Sequence, residues 1–255
     1  LDQDIPEEEY EVVVVNDGST DGSLSIAEKV AASHPNVRII SQENGGLSRA
    51  RNAGLAAADG EYVWVVDSDD YGASAMRSGF FKTPCAPYYV IRRSFLVENG
   101  ISFWEGILHE DEEFSPRMFY LARRISFLEG CYYYACVREG SIMQTPNPKR
   151  VYDLLAIAGR LDRYSLGVDP ADRYLFSRRI AEVLDSVFKL CLEMPDTVTG
   201  EVDKVISDTP MLTGHLLRSR VFKYQFVGVL FKLFPGHGSR IYHSLLRLLR
   251  PVRAA

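Results

Sequence analysis

The chain has 255 residues, 46% hydrophobic and 25% charged, a balance that excludes a disordered chain and allows one large α/β domain with an accessory element. Its net charge of −5 is unevenly spread: no Asp or Glu follows Asp208 but eight Lys or Arg do, so residues 1–208 hold 21 basic against 34 acidic side chains, a net of −13. Cys85, Cys131, Cys136 and Cys191 show no Cys-x-x-Cys spacing, which excludes a cysteine metal cluster and a disulfide scaffold and fits a reducing compartment, and no apolar run reads as a signal peptide or a bilayer crossing.

Leu1 to Pro6 reads as the end of an element that began earlier, and the acidic run Glu7 to Glu9 leads into a strand. Glu11 to Val15 is a near-continuous β-branched run, the mark of a strand buried on both faces of a parallel sheet. Asn16-Asp17-Gly18-Ser19-Thr20-Asp21-Gly22-Ser23 breaks it with turn and cap residues, and Leu24, Ile26, Ala27, Val30 and Ala31 then have helical spacing up to His34-Pro35-Asn36. Val37 to Ser41 is a second strand.

In Asn44-Gly45-Gly46-Leu47-Ser48-Arg49-Ala50-Arg51-Asn52-Ala53-Gly54 a Gly-Gly turn opens a helix. Its small and apolar side (Leu47, Ala50, Ala53 or Gly54, Ala57) is expected against a sheet, with Arg49 and Arg51 on the other side and an anion-favouring start. Asp59-Gly60 ends it, and Tyr62 to Val66 is a third strand that runs into Asp67-Ser68-Asp69-Asp70. Strand, helix, strand, helix, strand in this order implies a parallel, right-handed doubly wound sheet, with Asp17 and Asp67 both at strand C-terminal ends, where such sheets place ligands.

Three carboxylates within four residues repel one another unless a cation offsets them, and oxygen ligands of this kind suit a hard divalent ion that also holds phosphates. The alternative is a solvated acidic turn capping the next helix. Residues 71–87 carry no clear period; Tyr88 to Arg92 reads as a strand, Ser94 to Asn99 as a helical turn and Ile101 to Trp104 as extended. Glu105 to Phe114 begins as a turn and becomes a helix running to Ala122, whose first-turn acids also satisfy the helix dipole. Ile125 to Phe127 and Cys131 to Val137 read as strands. After Asn147-Pro148 the pattern is helical over Val151 to Leu166, Ala171 to Met194, roughly Pro210 to Phe234, and a final basic helix Ser239 to Leu249.

Four strings in this order, VVVVNDGSTDGS, NGGLSRARNAGL, YVWVVDSDDY and the pair GILHEDEEF with REGSIM, resemble the inverting family 2 glycosyltransferases of GT-A fold, mostly bacterial enzymes of surface polysaccharide assembly. The resemblance covers residues 1 to about 145. It implies an α/β, Rossmann-like, mainly parallel sheet over residues 1–147 and a helical C-terminal region over 148–255.

It also implies roles. Asp17 resembles the carboxylate that contacts the donor nucleotide, although the same residue suits an Asx-turn. Asn44 and the basic residues Arg49 and Arg51 match the donor-binding helix start, with a solvated face as the alternative for one of the arginines. Asp67 and Asp69 match the family's Asp-x-Asp, ligands of Mn²⁺ or Mg²⁺. Asp111 looks like the general base, with Glu110 beside it shaping the acceptor pocket, and Arg138 and Ser141 resemble a late loop that closes on donor phosphates or acceptor.

The implied activity is transfer of a sugar from a nucleotide-diphosphate donor, most often a UDP-sugar, to a saccharide or lipid-linked acceptor. Competing classes are a silent nucleotide-sugar-binding scaffold and a metal-dependent nucleotidyltransferase; the latter wants a glycine-rich basic loop after the first strand, where this chain is acidic. Family members open with a further strand and helix and have a longer segment before residues 92–96, so those parts are expected to be missing from this sequence. The basic tail, with aromatic-ended Phe222 to Phe234 and the Leu/Arg alternation from Leu245 to Arg253, suits a helix lying on an anionic membrane surface at the cytoplasmic leaflet. A hairpin packed on the rest of the chain is the alternative. Nucleic acid is disfavoured as a partner because the acidic body repels phosphate backbones.

Overall fold

A computed structural model describes residues 6–68, 71–73, 84–126, 132–134 and 146–249. The chain divides into two compact units, residues 1–136 and 137–255.

In the first unit β1 (Val12–Asp17), α1 (Ser23–Ala31) and β2 (Val37–Gln42) form a β-α-β crossover, with β1 and β2 parallel in a register that sets Val12 opposite Val37 and Asp17 opposite Gln42. This is the parallel arrangement expected from the two β-branched runs. α2 (Leu47–Ala57) starts at Gly46, whose φ of 84° is a left-handed conformation that glycine adopts without strain, and it packs on β1. β3 (Tyr62–Trp64) pairs antiparallel with β5 (Val90–Arg92), and β4 (Tyr71–Ala73) with β6 (Tyr132–Tyr134). The described strands are therefore joined two by two, one pair parallel and two antiparallel.

β1 is half-buried along its whole length rather than buried on both faces, having β2 along one edge and α2 across it. Ile26 and Val30 of α1, expected to face inward, are exposed. A single 3-10 turn at Ala86–Tyr88 precedes β5, α3 (Arg93–Glu98) follows it, and α4 (Asp111–Leu121) starts on the predicted acidic turn. The core here is Val63, Ala86, Ile91, Leu96, Ile101, Phe103, Phe114 and Met118, with Phe103 and Phe114 stacked at 4.1 Å between ring centroids. Ile125 and Ser126 lie outside any strand, and the rest of that predicted strand and most of Cys131 to Val137 fall outside the described residues.

The second unit is helical in its described residues. α5 (Pro148–Ser165) starts with proline in its first turn, capped by the Asn147 side chain, which accepts from the Lys149 N–H at 2.9 Å. α6 (Arg173–Leu190), which ends in a 3-10 turn at Cys191–Glu193, is the central helix, and α7 (Asp196–Asp208), α8 (Pro210–Arg218), α9 (Phe222–Leu233) and α10 (Gly238–Leu249) complete the unit. The continuous helix expected over 210–234 is two, because Arg220 takes a φ of 57° and Ser219 bonds its hydroxyl back to the Leu216 carbonyl at 2.7 Å. α7 was not predicted: Thr197, Thr199 and Gly200 are poor helix formers, and it is stabilised by burying Val198, Val202 and Ile206 along one side. Cys85 and Cys191 are free thiols, and burial pushes the Cys191 thiol up to about 12. No helix among the described residues is long and apolar enough to cross a membrane.

Candidate active site

The site is built around the start and the middle of one helix, α2. At its start, Asn16 makes the Asx-turn, its side-chain oxygen accepting from the Ser19 N–H at 3.0 Å. That leaves Asp17 free to reach across. Its carboxylate accepts from the Gly45 N–H (2.9 Å), the Gly46 N–H (2.8 Å) and Gln42 Nε2 (2.8 Å), the last because β-pairing sets the two residues opposite one another. Asn44 donates to the Asp17 carbonyl at 3.0 Å. Burial acts to raise the Asp17 pKa, but these bonds and the charge of Arg49 outweigh it and hold the carboxyl below its usual value. The chain can approach this closely because Gly18 has no side chain: a Cβ there would meet the Asn44 nitrogen at 2.8 Å.

One turn into α2 the situation differs. Arg51, expected on the outer face of the helix with Arg49, is 8% exposed, and Ser48 and Arg51 are the buried residues of α2, whereas Leu47 is open to solvent. The physical reason is three carboxylates that the tertiary fold brings to it. Arg51 donates to Glu110 (2.5 Å) and Asp111 (2.9 Å) through Nη1 and to Asp67 (2.9 Å) through Nη2, and its guanidinium lies 5.3 Å from the centre of the Phe103 ring. Burial works against its charge, but Asp111, Asp67 and Glu110 together raise its pKa.

Among the described residues one cation faces these three acids. Burial raises the Glu110 pKa, and the charge of Asp111 adds to that; burial likewise raises Asp111, more than Arg51 and the N–H of Ala86 lower it. That N–H donates to the second Asp111 oxygen at 3.1 Å. Both acids sit where the chain turns into α4, and His109 just before them takes a φ of 63°, a strained conformation for a residue with a side chain.

Of the residues singled out in the sequence, the fold thus brings Asp67, Arg51, Glu110 and Asp111 into one cluster and Asp17, Asn44 and Arg49 to the start of the same helix. Asp69, Arg138 and Ser141 lie outside the described residues. Two participants were not anticipated. Asn52 clamps the backbone of Phe103 by bonds of 2.9 Å in both directions, holding the aromatic floor under Arg51, and Ala86 steers Asp111 through its backbone alone. Asn52, half-buried next to Arg51, left no distinct signal in sequence, and neither does a backbone donor.

Among the described residues no group of three or more acids, histidines or cysteines converges on a point a metal ion could occupy. Asp67 is the described half of the Asp-x-Asp pair.

Residues 1–74 match the family model for Glycosyl transferase family 2. The uncharacterized glycosyltransferase EpsJ of Bacillus subtilis is 52% identical over 68 residues, 27% of this chain and 20% of that protein. Poly(ribitol-phosphate) β-N-acetylglucosaminyltransferase TarS of Staphylococcus aureus is 31% identical over 203 residues, 61% of this chain and 35% of that protein. The chain thus spans between a fifth and about a third of the length of these curated relatives. Among solved structures, a mannosyltransferase from Pyrobaculum calidifontis in complex with GDP-Man and Mn²⁺ aligns with a TM-score of 0.48 at 16% identity, over 91% of this chain and 80% of that one.

Proposed function

We propose that this chain, whose residues 1–74 match the family model for Glycosyl transferase family 2, transfers a sugar, with inversion, from a nucleoside-diphosphate donor to a saccharide or lipid-linked acceptor in cell-surface polysaccharide synthesis. The observation that carries the proposal is the buried Arg51 shared by Asp67, Glu110 and Asp111. It joins the acidic segment that follows β3, assigned to the donor side, to the carboxylate assigned as base.

In the proposed reaction Asp111 accepts the proton of the acceptor hydroxyl as that oxygen attacks the anomeric carbon, and the bond from that carbon to the diphosphate oxygen breaks. A carboxylate in this position contributes on the order of 10²- to 10⁴-fold. The raised pKa of Asp111 makes it a stronger base than an exposed aspartate, and Arg51 with the Ala86 N–H fixes the direction of its oxygens. Glu110 shapes the acceptor side. Asp17, Asn44 and Arg49 hold the nucleotide end, at a helix start that favours anions. Arg138 and Ser141 remain assigned by the resemblance to closing over the donor.

Among the described residues the cluster has more carboxylate than cation, and its donors are all oxygen, a set that fits Mn²⁺ or Mg²⁺. Asp67 and Asp69 would hold the ion, which would supply Lewis-acid stabilisation of the charge developing on the leaving diphosphate. The donor is proposed to be a UDP-sugar and the place of action the cytoplasmic side of the cell membrane.

The test is thermal stabilisation of the chain by UDP, GDP, CDP, dTDP and ADP, each with Mn²⁺, with Mg²⁺ and with chelator, in wild type and Asp69→Ala. A ligand that binds only the folded state raises its stability, so no knowledge of the acceptor is needed. UDP stabilising only with metal and only with Asp69 present is the expected result; no shift from any nucleotide would overturn the donor site.

A further inference from the structure

The basic end of the chain is folded into the helical unit, and this packing fixes which side of α9 faces solvent. Val227, Leu230 and Phe231 of α9 are buried, Phe231 stacking on Phe188 of α6 at 4.7 Å between centroids. Asp185 of α6 pins the same side of the tail: it accepts from Lys223 Nζ at 2.6 Å and from the Tyr242 hydroxyl of α10 at 2.8 Å. α9 is thus not free to roll its apolar residues inward.

The opposite side is apolar as well. Phe222 (83% exposed), Phe226 (45%), Val229 (44%) and Leu233 (65%) are spaced by four, three and four residues. At about 100° per residue they fall within a stripe roughly 60° wide, and Lys223 and Lys232 fall about 80–100° to either side of it. Residues 209–255 contain eight Lys or Arg and no acid. A stripe of large apolar side chains rimmed by cations, on a helix held rigidly from behind, is complementary to a surface that is apolar inside and anionic outside.

We infer that the exposed face of α9, from Phe222 to Leu233, is a membrane-insertion stripe that seats this unit on an anionic lipid bilayer, with the helix lying in the plane of the interface. The aromatic and aliphatic side chains enter the region between headgroups and acyl chains, while Lys232 meets the lipid phosphates. The site needs no spanning segment. It stands independently of the reaction proposed above, because none of its residues belongs to the acidic cluster.

The experiment is flotation of the full chain with vesicles of phosphatidylcholine containing 30 mol% phosphatidylglycerol, compared with pure phosphatidylcholine, for wild type and for Phe226→Glu with Leu233→Glu. Because both positions are exposed, the double variant is expected to keep the wild-type melting temperature. A control pair, Val205→Glu with Leu166→Glu, adds the same charge at exposed positions off the stripe. Binding of wild type and control to the anionic vesicles, weakened on the order of tenfold or more by the stripe variant and by pure phosphatidylcholine, is the expected pattern. Equal binding by the stripe variant, or equal loss in the control, overturns it. So does a wild-type dimer in sedimentation that only the stripe variant dissociates, with no wild-type vesicle binding, since the stripe would then join two copies of this chain.

Discussion

The start and the middle of α2 hold carboxylates in opposite ways. At its start Asp17 has three donors, two of them backbone N–H groups of the turn that opens the helix, and its pKa is pulled down. One turn later the Arg51 guanidinium is shared, among the described residues, by Asp67, Glu110 and Asp111, and the latter two have raised pKa values. The first is a satisfied anion that joins β1 to the helix start. The second carries surplus acid in a buried place, which costs stability and is what a proton-accepting or cation-binding site requires.

The comparison breaks most severely if the shared cation is removed. Arg51→Met leaves three carboxylates around an apolar side chain, two of them largely buried, and is expected to cost about 3–5 kcal/mol, the range for breaking a buried ion pair from one side. Urea unfolding measures it, and a loss below about 1 kcal/mol would mean that the carboxylates find other partners. Arg51→Lys keeps the charge but not the fork and should recover only part of the loss.

Next in size is the close approach at the helix start. Gly18→Ala places a Cβ 2.8 Å from the Asn44 nitrogen at a φ of 73°, so strand end and Gly-Gly turn must part, at an expected cost of about 1–3 kcal/mol. Asp17→Ala removes the acceptor for two orphan N–H groups and should cost about 0.5–2 kcal/mol, the range for a lost helix cap.

The pH dependence sharpens the contrast without any loss of packing. Asp17 has a folded pKa below its ordinary value of 3.8, so its contribution is fully present above that value and is lost as pH falls through the folded pKa. The stability difference between wild type and Asp17→Ala should therefore shrink only in acid below pH 3.8. Glu110 and Asp111 are raised, so their ionised forms cost stability at neutral pH, and that cost disappears as pH falls through their folded values. By the same shift the acid limb of a rate profile should lie above the range of an exposed aspartate; a limb at the ordinary value would remove Asp111 from the role of base.

Much of this was legible in sequence. The β-branched run ending in Asn16-Asp17, the Gly-Gly turn before a helix and the acidic turn before α4 each show a strand end or helix start by local composition alone. What local pattern could not reveal was the burial of Arg51. Helical spacing sorts residues by polarity, and an arginine falls by default on the outer face; it turns inward here because its partners arrive from 16, 59 and 60 positions away. The same holds for Ala86, which acts through its backbone, and for Asn52, whose partner is the backbone of Phe103. In the helical unit α7 escaped because burial overrode weak propensity, and the break at Arg220 escaped because no Gly or Pro marks it.

The central claim is that Asp111 takes the proton in sugar transfer, and Asp111→Asn tests it most directly. The exchange keeps the shape but has one acceptor oxygen in place of two, so one of the bonds from Arg51 and the Ala86 N–H is lost while a buried charge is removed; Arg51 keeps Asp67 and Glu110, and stability is expected within about 1 kcal/mol of wild type. Transfer from a UDP-sugar, followed as UDP release in the presence of acceptor, should fall by about 10²- to 10⁴-fold while UDP binding in the presence of Mn²⁺ stays at the wild-type level. Transfer by the variant at the wild-type rate would contradict the account.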